Sequence, residues 1–248
     1  MHHINVEVCV DNIESLQTAI AAGADRIELC SALSLGGLTP TPGLTRYAVQ
    51  HAPIPVYAMI RPRSGDFLFS PDEVAMISDE IAYFRDAGVD GIVIGALTAD
   101  RQVDQHTVRQ WVAQAAGLGI TFHRAFDLVA DPAIALAQVI DLGCERILTS
   151  GLQASAEQGA LCIRELIKQA GNRLSIMPGC GVNRDNAKQI IDITGATEIH
   201  LSGKKQRPSK MNRPADAAVM GNNSANDNFI DVTDAQIIHH VVKQLNDQ

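Results

Sequence analysis

Short apolar runs alternate with segments of helical periodicity along the whole chain. The runs are rich in β-branched residues and have the length of buried strands, whereas the segments between them repeat apolar positions at helical spacing. The predicted strands are 4–10, 26–30, 56–61, 91–97, 120–126, 146–151, 174–179 and 197–202. The predicted helices are 12–22, 42–51, 71–86, 104–116, 131–142, 155–170, 183–194 and 233–246. Eight strand–helix units in 248 residues predict an α/β fold, the TIM (β/α)8 barrel, as a single domain over residues 1–248.

A five-residue pattern marks the places where a helix ends and the next even-numbered strand begins. It runs from a glycine to an isoleucine at 23–27, 88–92, 143–147 and 195–199. The glycine is typical of the left-handed residue that ends a helix. The pattern indicates four copies of a two-strand unit, as a barrel requires. The alternative is a doubly wound open sheet, but the Gly-x-Gly-x-x-Gly turn of that fold does not follow the first strand.

A polar segment, 204–232, interrupts this rhythm after the eighth strand. It is too long for an ordinary connection, and it lies on the face where barrels carry their sites. One interpretation is a basic lid over the pocket, beginning with Lys204, Lys205 and Arg207. The alternative is a mobile insertion without a role of its own.

Composition and charge exclude several classes of protein. The chain is 46% hydrophobic and carries a net charge of −8, and an acidic surface repels nucleic acid. No apolar run reaches membrane-spanning length, and the N-terminus lacks the features of a signal peptide. The five cysteines have no disulfide-framework spacing, so we expect reduced thiols. These observations predict a cytoplasmic protein that binds neither nucleic acid nor membrane.

The tripeptide Glu-x-Cys occurs twice, at the ends of the first two predicted strands. Residues two apart in a strand face the same side, so Glu7 shares a face with Cys9. Glu28 shares a face with Cys30 in the same way. Neighbouring strands lie about 4.8 Å apart, which two metal–sulfur bonds of roughly 2.3 Å would nearly span. The two cysteines are therefore candidate ligands for a soft ion such as Cu(I), or else plain core residues.

Ionisable residues at other strand ends favour a small-molecule site. Strand 5 ends with His123, Arg124 and Asp127, and such a cluster at the C-terminal end of a barrel strand is typical of an active site. It could also cap the following helix. The glycine repeat places His200 level with Glu28, facing inward. The catalytic candidates are Glu7, Glu28 or Asp127 as base and His123 or His200 as acid.

Cations and glycines around the same face favour an anionic ligand. Arg61 and Arg63 follow strand 3, and an inward arginine would also make the buried glutamates tolerable. The turns after strands 7 and 8 are rich in glycine, and barrels often bind phosphate there, although such turns also serve chain reversal. We therefore expect a small anionic or phosphorylated metabolite. The substrate-binding candidates are Arg61, Arg63, Arg124, Gly179, Gly181, Ser202 and Lys204.

A set of short motifs follows the first six predicted strands in chain order. They include Gly-Ala-Asp-Arg-Ile-Glu-Leu-Cys and Phe-His-Arg-Ala-Phe-Asp. The set comprises 7–9, 23–30, 36–40, 60–63, 65–67, 122–127 and 146–151. Together these motifs resemble the CutC family, whose members are named copper homeostasis proteins. The resemblance implies a TIM barrel, a cytoplasmic location, a homo-oligomer (dimer or tetramer) and Cu(I) bound by Cys9 and Cys30.

Two functions of different classes follow from these observations. The first is copper homeostasis through Cu(I) binding at the barrel-top cysteines. The alternative is a TIM-barrel enzyme that acts on a small anionic or phosphorylated metabolite. A scaffold that binds partners only through its outer helices is disfavoured, because buried charge without a function is costly.

Overall fold

The computed structural model describes residues 3–212 and 228–247. Within them, eight parallel strands form a nearly closed barrel with eight helices around it, which confirms the TIM-barrel prediction. The barrel strands are β1 Asn5–Val10, β2 Arg26–Leu29, β3 Val56–Met59, β4 Gly91–Ile94, β5 Gly119–Phe122, β6 Arg146–Thr149, β7 Ser175–Pro178 and β8 Glu198–Leu201. The helices are α1 Ile13–Ala21, α2 Pro42–His51, α3 Pro71–Ala87, α4 Gln105–Ala115, α5 Pro132–Asp141, α6 Ala160–Ala170, α7 Ala187–Thr194 and α8 Ala235–Asn246.

The strands pair in chain order from β1 to β7, and β8 pairs with β1. β7 and β8 lie side by side, but no hydrogen-bonded ladder joins their described residues. The barrel therefore has one seam, and interactions other than a strand ladder must hold it together there.

The glycine repeat has the backbone conformation that the sequence predicts. Gly23, Gly88, Gly143 and Gly195 have φ angles of 95°, 85°, 83° and 71°. This left-handed region is strained for residues with a side chain, so glycine ends the helix and turns the chain back toward the barrel at low cost.

The two faces of the strands pack into different cores. Val6, Val8 and Val10 on β1 pack in the layer between barrel and helices, together with the apolar residues of the other strands. Cys30, Tyr57, Met59 and Val93 form a separate cluster inside the barrel. The alternation of inward and outward residues therefore follows the period of two expected for strands.

The segment after β8 contains regular structure that the sequence does not predict. Two further strands, β9 Lys204–Pro208 and β10 Phe229–Thr233, pair antiparallel as a ribbon. The ribbon packs against α1, where Arg207 pairs with Glu14 at 2.7 Å and Thr233 donates its backbone N–H to Ser15. Residues 213–227, which hold most of the polar run of the predicted lid, lie outside the described residues.

The predicted strand over 120–126 is too long at its C-terminal end. β5 stops at Phe122, and a short 3-10 turn, Arg124–Leu128, follows it. His123 caps this turn by accepting a hydrogen bond from the Ala125 N–H. None of the helices formed by the described residues has the length and apolar character needed to cross a bilayer.

Candidate functional site

A cavity of 610 Å³ opens at the C-terminal ends of the barrel strands, the face on which TIM barrels carry their sites. We call it the mouth cavity. Ten of the predicted site residues line it: Cys9, Glu28, Arg61, His123, Arg124, Asp127, Gly181, His200, Ser202 and Lys204. Its apolar lining includes Leu33, Leu35, Met59, Phe67, Leu128, Leu148 and Val182. The other four predicted residues, Glu7, Cys30, Arg63 and Gly179, are not part of the lining.

The strand register separates the two Glu-x-Cys motifs. On β1 and β2, Cys9 lies opposite Glu28, and Glu7 lies opposite Arg26. The two cysteines are therefore not level with each other, and the expectation that they occupy corresponding positions on neighbouring strands is wrong. The cause is the shear of a closed barrel, which staggers adjacent strands.

The stagger assembles a different group on one side of the mouth, which we call the thiol side: Cys9, Glu28 and His200. One ligand atom from each of these buried residues lies within 4.8 Å of those of the other two. Cys30 directly follows β2, nearer the C-terminal end of the barrel than Glu28, and is fully buried beneath Gly37; its Sγ donates to Glu28 Oε2 at 3.4 Å. Sulfur, imidazole nitrogen and carboxylate oxygen are all common metal ligands, so this group could hold an ion.

Glu7 orients the imidazole of His200 from below. Burial alone would raise the pKa of Glu7, but the ion pair with Arg26 and the hydrogen bond from His200 outweigh it and lower that pKa to about 2. The ionised carboxylate accepts from His200 Nδ1 at 2.7 Å. This contact fixes the ring so that Nε2 faces Glu28, 3.8 Å away.

The titration behaviour of the thiol side is set by burial and by mutual contact. Burial and the nearby Glu7 raise the pKa of Glu28 above its ordinary value, against the charge of His200. Burial also raises the pKa values of the Cys9 and Cys30 thiols. Burial would lower the pKa of His200, but Cys9 and Glu28, with the hydrogen bonds of Cys9 and Glu7, raise it well above its usual value.

Beneath the mouth lies a layer of ion pairs, which we call the charged floor, and it balances the charge of Glu7. Arg26 bridges Glu7 on β1 and Glu198 on β8, and Arg146 on β6 binds the same Glu198 at 2.8 Å. The ring of Tyr57 lies between the two guanidinium groups, 5.3 and 5.6 Å from their carbon atoms. The sequence prediction assigned the partner of the glutamates to strand 3, whereas the structure places it on β2.

The floor residues could have been found from the glycine repeat. The positions three after each repeat glycine, and two before Glu28, Val93, Leu148 and His200, are held by Arg26, Gly91, Arg146 and Glu198. Residues two apart share a strand face, so all four belong to the inner layer of the even strands. Gly91 leaves the space that Tyr57 fills, because a Cβ there would lie 2.4 Å from its ring.

The opposite wall, which we call the arginine side, consists of Arg61, Phe67 and His123. The guanidinium carbon of Arg61 lies 4.9 Å from the centroid of the Phe67 ring, and the His123 ring lies 4.7 Å from the same centroid. Burial, and then the charge of Arg61, lower the pKa of His123 to about 3, so its imidazole is neutral at physiological pH. Gly95 gives the imidazole room, since a Cβ there would lie 2.6 Å from the ring.

Asp127 is held by several donors at the end of β6. Its carboxylate accepts from the Thr149 hydroxyl, from the backbone and side chain of Ser150, and from the backbone N–H of Leu152. Arg124 pairs with it at 2.8 Å. A carboxylate with this many partners is suited to holding the loop and Arg124 in place. Its assignment as a base stays a prediction.

Arg63 points away from the mouth, although the sequence predicts that it faces inward. Its guanidinium binds Glu73 at 2.6 Å and Asp66 at 3.1 Å, on the outer side of the loop after β3. Gly179 directly follows β7, and a Cβ there would come 2.5 Å from Leu148 and 3.3 Å from His200. This glycine makes room for two side chains of the mouth, and its assignment to ligand binding stays a prediction.

The N-terminus of α8, the helix that follows the β9–β10 ribbon, already holds a carboxylate. Asp234 caps α8, accepts from the Gln236 N–H at 2.7 Å and pairs with Lys205 at 2.9 Å. Lys204 lines the mouth with Ser202, and its Nζ lies 3.9 Å from Asp231. A phosphate at the start of α8 would therefore meet Asp234, whereas the predicted phosphate site between the loops after β7 and β8 stays a prediction.

Sequence comparison finds close relatives over nearly the whole chain. The sequence profile of the CutC family matches residues 4–205. A family protein CutC of Pasteurella multocida is 52% identical over 238 residues, covering 96% of this chain and 97% of its own. Another, of Photobacterium profundum, is 51% identical over 242 residues, covering 98% of this chain and 99% of its own.

Comparison with solved structures agrees with the sequence matches. A CutC protein from Streptococcus agalactiae, whose name refers to copper homeostasis, has a TM-score of 0.76 and 32% identity, covering 79% of this chain and 97% of its own. Phosphoribosyl anthranilate isomerase from Thermotoga maritima has a TM-score of 0.56 and 12% identity over 98% of both chains. This second likeness shows the shared barrel fold alone.

Proposed function

The chain belongs to the CutC family, and on that premise we propose that it serves copper homeostasis by binding Cu(I) at the thiol side of its mouth. The copper connection comes from the name of the Streptococcus agalactiae relative. The proposal for this chain is supported by its own donor set, in which Cys9 and His200 lie within one ion's reach. Thiolate and imidazole are ligands that suit Cu(I), whereas the carboxylate of Glu28, the third member of the group, is a harder ligand.

The observation that carries the proposal is the contact between Glu7 and His200. In metal sites, a histidine ligand usually donates its other ring N–H to a carboxylate, which fixes the ring and raises its basicity. Here Nδ1 donates to Glu7 at 2.7 Å, which leaves Nε2 for an ion, on the side of Cys9 and Glu28. Arg26 holds Glu7 ionised from below. Burying the charges of Glu7 and Arg26 is energetically costly, and an ion-binding site above them would explain why the protein keeps them there.

Cys30 supplies the second thiolate in this proposal. It is not level with Cys9, but its Sγ reaches Glu28, a member of the same group. Metal binding requires deprotonated sulfur and a free imidazole nitrogen, so an incoming ion displaces protons from these groups. Glu28 Oε1 is buried without a hydrogen-bond partner among the described residues. The Glu28 carboxylate also lies close to His200 Nε2 and to Cys30 Sγ, two of the atoms that would lose a proton when an ion binds.

The test is an anaerobic competition titration of the reduced full-length protein against a coloured Cu(I) chelator. We expect wild type to take one equivalent of Cu(I) and Cys9→Ser and His200→Phe to weaken binding by at least about a hundredfold, as loss of a metal ligand does. Cys30→Ser tests the second thiolate. Cys144→Ser is the matched control, because that buried thiol lies in the outer core, away from the mouth.

Two outcomes would contradict the copper proposal. One is Cu(I) affinity that stays the same in Cys9→Ser and His200→Phe while both variants keep the wild-type melting temperature. The other is a preference for Zn²⁺ at equal chelator buffering, since a Cys, His and Glu set also suits zinc.

We further propose a cytoplasmic location and a homo-oligomeric state. All five cysteines are free thiols, which fits a reducing compartment. Ile134 on α5 and Leu161 on α6 expose 56% and 61% of their surface on neighbouring helices, and a second copy of the chain could cover them. Cell fractionation and light scattering after size exclusion test these two points. A monomer at micromolar concentration would contradict the second.

A further inference from the structure

The arginine side of the mouth differs chemically from the thiol side, because its side chains are hydrogen-bond donors that do not bind a metal ion. Arg61 is 8% exposed and His123 is 3% exposed, and both line the mouth cavity. Arg61 Nη1 and Nη2 donate to the backbone carbonyls of Leu35, Gly37 and Gly65. A cation cannot bind among these donors, so this wall suits an anion.

Two donors on this wall lack acceptors. Arg61 Nε is buried without a hydrogen-bond partner among the described residues, and so is His123 Nε2. Because His123 Nδ1 accepts from the Ala125 N–H at 3.2 Å, the ring proton of this neutral histidine lies on Nε2. A buried donor without an acceptor destabilises the protein, and a ligand that supplies an acceptor would recover this free energy.

Charge on the arginine side is also unbalanced. Of the cations that line the mouth, Arg124 pairs with Asp127, and Lys204 lies near Asp231. Arg61 has no carboxylate partner among the described residues, and its charge acts on Arg63 and on His123 without compensation. One uncompensated guanidinium beside a neutral imidazole matches a ligand with a single negative charge.

We propose that the arginine side binds the carboxylate of a small organic acid, whose apolar body lies along the wall of the mouth cavity. Arg61 and His123 provide the donors, and Phe67 between them excludes water. Leu35 and Leu128, 52% and 48% exposed at the rim, offer apolar surface that such a body would cover. The 610 Å³ of the cavity fits an organic molecule and far exceeds the needs of a bare ion.

The same geometry argues for a carboxylate over a phosphate. In barrels that bind phosphate, the anion usually lies between the loops after β7 and β8, at a helix N-terminus. The arginine side lies on the loops after β3 and β5, and the 3-10 turn that begins there at Arg124 already has His123 as its cap. A phosphate dianion would leave one charge uncompensated beside a single free guanidinium.

The experiment uses the full-length protein after treatment with a chelator, so that copper plays no part. Its probes are pyruvate, butyrate and 3-phenylpropionate, each beside its amide, together with inorganic phosphate and glycerol phosphate. Melting temperature and titration calorimetry report binding. We expect at least one carboxylate to bind and to raise the melting temperature, and we expect the matching amide and both phosphates to have no effect.

Variants assign the binding to the arginine side. We expect Arg61→Met to abolish it and His123→Asn to weaken it at least about tenfold, since one hydrogen bond to a charged group is lost. Asparagine can still accept from the Ala125 N–H, so this variant keeps the turn. His123→Gln places its amide nitrogen near the Nε2 position and should retain binding. Arg63→Gln, on the outside of the same loop, is the control and should bind as wild type does.

The proposal is overturned if no carboxylate binds, if the phosphates bind as well as the carboxylates, or if Arg61→Met and His123→Asn bind unchanged. Should Arg61→Met fail to fold, the pair His123→Asn and His123→Gln decides. The result is independent of copper, because the chelator-treated protein holds none, so a failure of carboxylate binding and a failure of Cu(I) binding are separate results.

Discussion

His123 is a single buried imidazole whose protonation should be visible in the stability of the whole protein. Burial and the charge of Arg61 lower its pKa to about 3, against 6.5 for an ordinary histidine. Between these values the unfolded chain binds a proton that the folded chain does not. The free energy of unfolding should therefore fall as pH falls from 6.5 toward 3, by up to about 1.4 kcal/mol per pH unit.

Urea unfolding at a series of pH values measures this effect when wild type is compared with His123→Asn. The other titrating groups are common to both proteins, so the difference in slope isolates the imidazole. We expect the variant to lose less stability than wild type over the same interval. Parallel curves for the two proteins would show that His123 takes up its proton in the folded state.

Individual residues also show which side-chain directions could be predicted from the sequence and which could not. The inward direction of Glu28 and His200 followed from the glycine repeat and agrees with the structure. Arg26 could have been found by the same comparison. The separate directions of Arg61 and Arg63 could not, because each depends on what the loop packs against. Arg61 binds backbone carbonyls inside the loop, whereas Arg63 meets Glu73 on α3.

At the scale of helices and strands, the glycine that ends each repeat should be sensitive to any side chain. Gly195 has a φ of 71°, and a Cβ there would meet nothing within 4 Å. The cost of Gly195→Ala is therefore conformational alone, and we expect a loss of about 1–2 kcal/mol in the free energy of unfolding. Chemical denaturation measures it directly.

Gly43, in the first turn of α2, is the matched control. A Cβ at this position also has open space, and its φ is not in the left-handed region. Gly43→Ala should therefore stabilise the protein by roughly 0.4–1 kcal/mol, because alanine restricts the unfolded chain and favours the helix. A loss of stability in Gly43→Ala, or none in Gly195→Ala, would contradict the conformational explanation.

The order of the elements was predictable, but their register was not. The spacing of the two Glu-x-Cys motifs shows that a strand–helix unit repeats, and it contains no information on how far one strand slides past the next. That stagger is fixed by closure of the whole barrel. It places Cys9 beside Glu28 instead of Cys30 and so changes the candidate metal group. In the β9–β10 ribbon, β9 was missed because its residues are polar and mostly exposed.

At the scale of the whole molecule, the seam between β7 and β8 must be closed by side chains. Glu198 on β8 binds Arg26 on β2 and Arg146 on β6, and Ser175 on β7 lies close enough to help lower its pKa. One carboxylate thus connects the strands on both sides of the seam through the barrel interior. Burial would raise its pKa, but the two arginines lower it, so it stays ionised at physiological pH.

Glu198→Gln should therefore loosen the barrel locally. Arg26 keeps Glu7 and Arg146 keeps Glu145, so we expect a loss near the low end of the roughly 3–5 kcal/mol found for broken buried pairs. Hydrogen exchange should speed up at the amides of β7 and β8 more than at those of β3 and β4, because the latter keep ladders on both sides.

Glu145→Gln is the control for this experiment, since Glu145 binds the same Arg146 at 2.8 Å but does not contact β8. It should leave exchange at the seam unchanged. Uniformly faster exchange around the barrel in Glu198→Gln would mean that the ionic floor stabilises all strands equally. Faster exchange confined to β7 and β8 would mean that the charged floor also holds these two strands together at the seam. The same ion pairs that support Glu7 and the mouth would then close the barrel.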